Sequence, residues 1–473
     1  MSPKKILHFA IGPIGSALLG FISLPIVAWI FSQEDVGRIA LLNVVLSFST
    51  LFFTLGLDQG YVRDFHESNN KPLLLKTAFL PGFMLLFFWV SVCLVFNFQL
   101  SELVFSFNSV SVSWLLIFAI FSGFLSRFLS LVLRMNERGL AFSMSQLLPK
   151  VFFLLIILSY LFFKIVKSFE YLLLAHVTAI VFACIIFSWS TYDEWRLSLN
   201  QKINFEQLRE MLRFGLPLTL GGVAFWGLTS LDRILLSYWS SYNELAIYSI
   251  SVSFAAAATI FQSVFSTVWA PTVYKWASND EGYEKVIKVS RYVLILVTLI
   301  FCMAGLASWL VPFILPAEYE KVQWILITSL AYPLFYTLSE TTVVGVGIAR
   351  KTTYAMLACI LSLLINIIFN YILIPKFGAA GAASSMALAF WCFLVLRTEF
   401  SIRAWKVIPR VSLYVFSLLC VVGAILGALL QDKLGIYIYV YWFTVLFVCC
   451  WKFKSELSMM IEKVLKLIGN KNK

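Results

Sequence analysis

Long apolar runs separated by short polar gaps set the rhythm of this chain. Runs of about 18–29 residues, each long enough to cross roughly 30 Å of hydrocarbon as a helix, recur fourteen times. They fall near 9–31, 38–57, 76–97, 112–133, 146–165, 170–190, 214–236, 244–272, 290–312, 324–346, 352–374, 379–398, 410–430 and 434–451. A period of 3.6 or of 2 says little where every face is apolar, so length decides. Tilted barrel strands would need only about ten residues. The pattern predicts an all-α polytopic membrane protein with about fourteen transmembrane helices.

The polar gaps supply orientation. With Lys4 and Lys5 inside, 27 of the 36 Lys and Arg fall on the cytoplasmic side and six outside: Arg38, Lys164, Lys167, Lys321, Lys376 and Lys433. Arg127, Lys150 and Arg233 remain within spans. This asymmetry is the positive-inside signal and predicts both termini in the cytoplasm. The longest gap contains Asn204-Phe-Glu-Gln207, a helix-cap signature, with Leu208 and Leu212 in step with Phe205. The expected organisation is a six-helix lobe over 1–190, an amphipathic cytoplasmic linker over 191–213, a second six-helix lobe over 214–398, two further spans over 399–451, and a basic tail over 452–473. In the tail Leu457, Ile461, Val464 and Ile468 share a face, which fits an interfacial helix or a solvated end.

The halves echo one another. Gly12-Pro13 opens span 1 and Gly215-Leu-Pro217 opens span 7. Gln33-Glu-Asp-Val-Gly37 answers Tyr242-Asn-Glu-Leu-Ala246, and Arg134-Met-Asn-Glu-Arg138 answers Gly347-Ile-Ala-Arg-Lys351. Parallel repeats of this kind favour a two-lobed transporter.

Composition narrows the classes. With 61% hydrophobic and 13% charged residues and a mean hydropathy of +0.89, the chain cannot surface a large water-soluble enzyme, nor is it disordered. The net charge of +12 is spread over loops, which argues against nucleic acid as partner. Eight cysteines all lie inside apolar runs and three histidines are scattered, so neither a disulfide framework nor a structural metal is expected. No small-residue cleavage site follows the first span, so it reads as a retained helix. GxxxxGK[ST], HExxH and GxSxG are all missing from the sequence, so the expectation is a non-enzyme without cofactor, driven by an ion gradient, the membrane potential or product consumption.

Segment 214–278, opening FGLPLTLGGVAFWGLTSLDRILLSYWSSYNELAIYSIS, resembles the polysaccharide flippases of the multidrug/oligosaccharidyl-lipid/polysaccharide exporter superfamily. So do Leu373-Ile-Pro-Lys-Phe-Gly-Ala-Ala-Gly-Ala382 and the stretch ISLPIVAWIFSQEDVGRIALLNVV. The resemblance implies a V-shaped pair of lobes around a central cavity that opens alternately to each side. For the O-antigen (Wzx-type) branch it implies undecaprenyl-pyrophosphate-linked sugar repeats as cargo.

Charges in spans are the candidate machinery. Arg127 sits about 9 Å from the cytoplasmic end of its span, at about 1.5 Å per residue. Gly123, Arg127, Ser130, Arg134 and Arg138 share one helical stripe by spacing. A cationic ladder of this kind suits an entering pyrophosphate; the plainer reading is an Arg snorkelling to the interface. Lys150, after Pro149, either lines the cavity or anchors the helix. Asp232-Arg233 reads as a locally paired interface or a cavity element, and its place fits the superfamily pattern. Glu340 shares a face with Pro333, Tyr336, Thr337 and Val344, and can couple a proton or sodium ion or form a salt bridge to the opposite lobe. Asn366 and Asn370, at i and i+4, either bond sugar hydroxyls or hold helices together. His176 reads as a packing residue, and Asp58 as a helix terminus.

The expected substrate-binding set is therefore Arg127, Arg134, Lys150, Arg233, Asn366 and Asn370, with Glu340 and Asp232 as ion-coupling residues. The expected function is flipping a lipid-linked oligosaccharide across a bacterial cytoplasmic (inner) membrane, with a polysaccharide polymerase and a chain-length regulator as partners. An ion-coupled multidrug exporter should carry more carboxylates in its spans. A polymerase or glycosyltransferase should carry a large outer loop with catalytic charges.

Overall fold

The computed structural model describes residues 3–96, 98–277, 282–349, 351–459 and 462. Among them the regular structure is entirely helical. Two compact units form, Met1–Ser249 and Ile250–Lys473. The division falls inside a helix.

The first unit holds α1 (Pro3–Ile30), α2 (Gln33–Thr54), α3 (Leu57–Asp64), α4 (Lys71–Val95), α5 (Leu100–Phe105), α6 (Val110–Met135), α7 (Gly139–Phe162), α8 (Phe169–Ser190), α9 (Tyr192–Leu199), α10 (Phe205–Trp239) and most of α11 (Tyr242–Phe254). Side-chain caps start four of these helices, α2, α4, α6 and α10, where the apolar runs leave polar residues. Ser32 Oγ accepts from the Asp35 amide, Asn70 Oδ1 from Leu73 and Ser109 Oγ from Val112. Asn204 accepts from the amides of Glu206 and Gln207 at 3.0 and 3.1 Å, the cap its sequence foretells. The linker thus resolves into a short helix, α9, a break at 200–204, and the first turns of α10.

Glycines set two of the closest approaches. α1 packs along α7, where the Gly12 amide donates to Ser143 Oγ at 3.0 Å and Ser143 Oγ donates in turn to the His8 carbonyl. α10 lies against α2 and α3. At the α2–α3 junction Leu55 and Gly56 take φ of 50° and 71°, turning the chain sharply. A Cβ on Gly56 would collide with the Gly215 carbonyl, and one on Gly215 would meet the Gly56 carbonyl at 2.5 Å. Backbone therefore touches backbone, as small residues permit in membranes. At the other end of α2, a Cβ on Gly37 would strike the Tyr242 carbonyl. α4 and α6 are joined by rings: Phe79, Phe124 and Phe128 form a triangle with centroids 5.3–5.4 Å apart.

The second unit continues with α12 (Ala256–Ala277), α13 (Gly282–Ala307), α14 (Val322–Ser329), α15 (Ala331–Thr342), α16 (Val344–Ile348), α17 (Thr352–Ala404), α18 (Val411–Leu430) and α19 (Tyr437–Lys452). Trp442 of α19 is fully buried against Gly305 and stacks on Phe301, centroids 6.5 Å apart, which itself stacks on Phe335 at 5.3 Å.

Among the described residues, ten helices are long and apolar enough to span a membrane by themselves, or eleven if α11 and α12, bent by 47°, form one span. The exact count of fourteen is not confirmed by these helices. The run 324–346 is cut into α14, α15 and α16, and 434–451 yields a helix of 16 residues. The runs 352–374 and 379–398 join in α17, which kinks at Gly378 (φ 53°, ψ −126°). In the tail, Ile461, Val464, Ile468 and the last lysines lie outside the described residues; Glu456 pairs with Arg291 at 2.9 Å.

Candidate functional site

In the first unit Arg127 projects from α6 toward α3. Its Nε and Nη2 both reach Asp58 Oδ2, at 3.1 and 2.5 Å. Asp58 is buried, at 5% exposure, while the Arg127 side chain keeps 38%. Asp58 is therefore the buried counter-ion of a half-exposed cation and more than a helix terminus. Arg127 Nη1 has no partner among the described residues, so one edge of the guanidinium stays open to an anion.

The cationic ladder is shorter than the spacing suggests. Ser130 Oγ donates to the Arg127 carbonyl, and Arg134 is exposed in the last turn of α6. Arg138 lies beyond that helix: Asn136 caps it, Glu137 takes φ 57°, and Arg138 pairs with Glu194 at 3.0 Å. A stripe computed over fifteen residues assumes an unbroken helix, and this one ends at Met135.

Lys150 stands on α7 with its ammonium donating to the Ser16 carbonyl of α1 at 2.6 Å. No carboxylate pairs with it among the described residues. His176 of α8 packs edge-on against Phe153, one turn from Lys150, at 5.3 Å. It behaves as the packing residue expected, although its Nδ1 is buried without a hydrogen-bond partner. On α10 Asp232 is fully buried and accepts from the Tyr248 hydroxyl at 2.9 Å. Arg233 lies 5.8 Å from the centre of the same ring.

In the second unit Glu340 meets Arg397 of α17, Oε1 to Nη2 at 2.7 Å, with the two side chains 13% and 11% exposed. Arg397 Nη1 also donates to Ser339 Oγ at 2.7 Å, and its guanidinium lies over Tyr336 and Phe393. Trp269 Nε1 donates to the Glu340 carbonyl at 2.9 Å. The salt bridge considered for Glu340 exists, but its partner belongs to the same unit. Asn366 and Asn370 are fully buried, and Asn370 Nδ2 donates to Asn366 Oδ1 at 2.9 Å.

Sequence reasoning missed Arg397, Tyr248 and Trp269. Arg397 ends an apolar run and was counted with the loop charges. Tyr248 and Trp269 carry no signal that separates them from the rest of the chain's 79 aromatic residues.

Residues 3–276 match the family described as polysaccharide biosynthesis protein. The capsular polysaccharide biosynthesis protein CapF of Staphylococcus aureus is 26% identical over 256 residues, 50% of this chain and 63% of CapF. The probable low-salt glycan biosynthesis flippase Agl15 of Haloferax volcanii is 21% identical over 205 residues, 42% of this chain and 43% of Agl15. The chain thus spans less than two thirds of these relatives. Among solved structures, the lipid II flippase MurJ in an inward closed conformation aligns with a TM-score of 0.69 over 95% of this chain and 99% of that chain, at 15% identity. That likeness is one of fold.

Proposed function

Because the chain belongs to the polysaccharide biosynthesis protein family, matched over residues 3–276, we propose that it flips an isoprenoid-pyrophosphate-linked oligosaccharide from the cytoplasmic to the outer leaflet by alternating access. It is a multi-pass membrane protein of flippase type. The finer reading has a bacterial cytoplasmic membrane as location, a surface-polysaccharide repeat unit as cargo, and a polymerase with its chain-length regulator downstream.

Arg127 carries the reading. A guanidinium on a membrane-spanning helix costs about 2.5–3.5 kcal/mol on insertion scales. Here it is held by Asp58 through two nitrogens, Nε and Nη2, while Nη1 has no hydrogen-bond partner among the described residues. That edge can hold a phosphate oxygen without the cation leaving its counter-ion. Lys150 offers a second ammonium with no carboxylate partner among the described residues. Arg134 and Arg233 complete the proposed cargo contacts of the first unit; the Asn366–Asn370 pair of the second, fully buried and bonded to itself here, would reach sugar hydroxyls only in another conformation.

Glu340 and Asp232 are the proposed coupling carboxylates. A proton or sodium ion moving down about 100 mV supplies about 2.3 kcal/mol per charge, enough to bias a two-state equilibrium some fifty-fold. At Glu340 the ion would have to compete with Arg397.

The test is flipping of a fluorescent pyrophosphate-linked isoprenoid oligosaccharide in proteoliposomes, with and without an imposed pH or sodium gradient. The expected result is gradient-stimulated flipping that Glu340→Gln abolishes at matched protein amount. Flipping that Glu340→Gln leaves intact removes Glu340 from coupling. No flipping, together with gradient-driven export of a cationic dye, replaces the proposal with multidrug export.

A further inference from the structure

α9 forms a roof. This eight-residue helix is fastened at both ends to the rest of its unit. At its C-terminal end Lys76 Nζ of α4 donates to the carbonyls of Leu199 and Gln201, both at 2.7 Å. Asn70 Nδ2 adds a bond to Gln201 Oε1 at 3.1 Å. At the other end Arg138 pairs with Glu194 at 3.0 Å and donates to the Ser190 carbonyl at 2.8 Å. Asn136 Nδ2 reaches Glu194 Oε1 at 3.2 Å.

Beneath this roof lies a cavity of about 250 Å³, walled by Leu75 and Phe79 of α4, Phe128, Leu129 and Val132 of α6, and Trp195 of α9 itself. Three of the four polar residues of the wall spend their side-chain donors on backbone. Ser198 Oγ donates to the Trp195 carbonyl, Thr191 Oγ1 to Phe187, and Trp195 Nε1 to Ser188, at 2.6, 2.8 and 2.8 Å. What faces the void is hydrocarbon. Apolar cavities with no polar partners for water take apolar guests, and this wall offers an acyl chain the same contacts.

The rim has the opposite chemistry. The first turns of α4, the α6–α7 turn and residues 191–202 carry six bases (Lys71, Lys76, Arg134, Arg138, Arg196 and Lys202) against three acids (Glu137, Asp193 and Glu194). Glu194 is already neutralised by Arg138. A hydrocarbon slot with a cationic rim, at the ends of membrane-spanning helices, is complementary to an amphiphile with an anionic head.

We propose that this cavity is a lipid site, taking one acyl chain of an anionic glycerophospholipid with its phosphate held at the basic rim, and that the bound lipid fixes α9 in place. The proposal rests on the membrane-spanning character of the flippase reading and is independent of which glycan is carried.

The experiment uses the full-length protein in phosphatidylcholine vesicles holding a trace of phosphatidylglycerol with a diazirine in its acyl chain. Cross-linked peptides are mapped by mass spectrometry. The expected result is labelling of 125–132 and 188–199 at least fivefold above that given by the same photoreactive chain on phosphatidylcholine, and competed by unlabelled phosphatidylglycerol. Leu199→Trp, from the exposed rim, and Leu125→Trp, from the opposite wall, should each fill the slot and bring this labelling to the phosphatidylcholine background. Labelling of lipid-facing α7 should not change. Equal labelling by the two headgroups overturns the proposal, as does labelling that survives both folded variants. Labelling that only an isoprenoid pyrophosphate competes away assigns the slot to cargo and overturns it too. Selective labelling by a protein that flips no glycan would leave the lipid site standing and count against the transport reading instead.

Discussion

At the scale of residues, two ion pairs set how any mutation must be read. Asp58 is 5% exposed and depends on Arg127 for its charge balance. Removing one partner of a buried pair costs about 3–5 kcal/mol, mostly because the other charge is stranded. Arg127→Ala alone therefore cannot separate a phosphate contact from a structural one. The informative comparison is Arg127→Ala in the background of Asp58→Asn, which removes the stranded carboxylate. We expect the double variant to recover most of the thermal stability lost by Arg127→Ala yet to remain inactive in glycan flipping. Recovery of both would make the pair a structural clamp only. The same reasoning applies with more force to Glu340 and Arg397, where both side chains are secluded, at 13% and 11% exposure. The sequence marked Arg127 and Glu340 as unusual because a charge in an apolar run is visible. Their partners were hidden, since Asp58 and Arg397 lie at the ends of runs, where a charge is ordinary.

At the scale of elements, the junction of α2 and α3 against α10 is a seam where backbone meets backbone. Gly56 combines a left-handed backbone with a neighbour, Gly215, that leaves no room for a side chain. Gly215→Leu forces two helices apart, and overpacking of this kind costs about 1–3 kcal/mol. Gly221, two turns further along α10, has nothing within 4 Å of its missing Cβ. Gly221→Ala should therefore be neutral or stabilising by up to about 1 kcal/mol, the helix-propensity difference. Thermal unfolding in detergent micelles checks both: a drop of several degrees for the first and none for the second. Helices were legible here because run length alone demands them. The break between Phe254 and Ala256 was not, because no glycine or proline marks it, whereas the break at Leu330 is announced by Pro333, which cannot donate to the Ser329 carbonyl. The short helices α3, α5 and α9 were equally invisible, being too brief to give a periodic pattern.

At the scale of the whole molecule, the asymmetry of Lys and Arg predicts one orientation. Cysteine at Asn108, between α5 and α6, should react with an impermeant thiol reagent in intact cells. Cysteine at Asn200, beyond α9, should react only after permeabilisation. Both positions are exposed. Reaction at Asn200 in intact cells would invert the topology and place the α9 roof on the outer surface. The all-helical membrane fold could be read from the sequence because hydropathy is a property of each segment taken alone. The boundary between units could not, because it depends on what α10 touches. Repeat logic assigns this helix to the second lobe, yet its backbone lies on Gly56, and Tyr242 just beyond it meets Gly37.

That placement bears on how the chain is made. The surface that closes over Gly56 begins near Met211 and Gly215, about 150 residues later in translation. At about 5–20 residues per second, α2 and α3 wait roughly 8–30 s in the bilayer with their glycine seam uncovered. During that interval α4 to α9 must insert without occupying it. A nascent chain that stalls at residue 190 has six long helices in the membrane and no finished first unit. The N-terminal half is thus an incomplete folding substrate whose last helix is supplied by the opening of the second half.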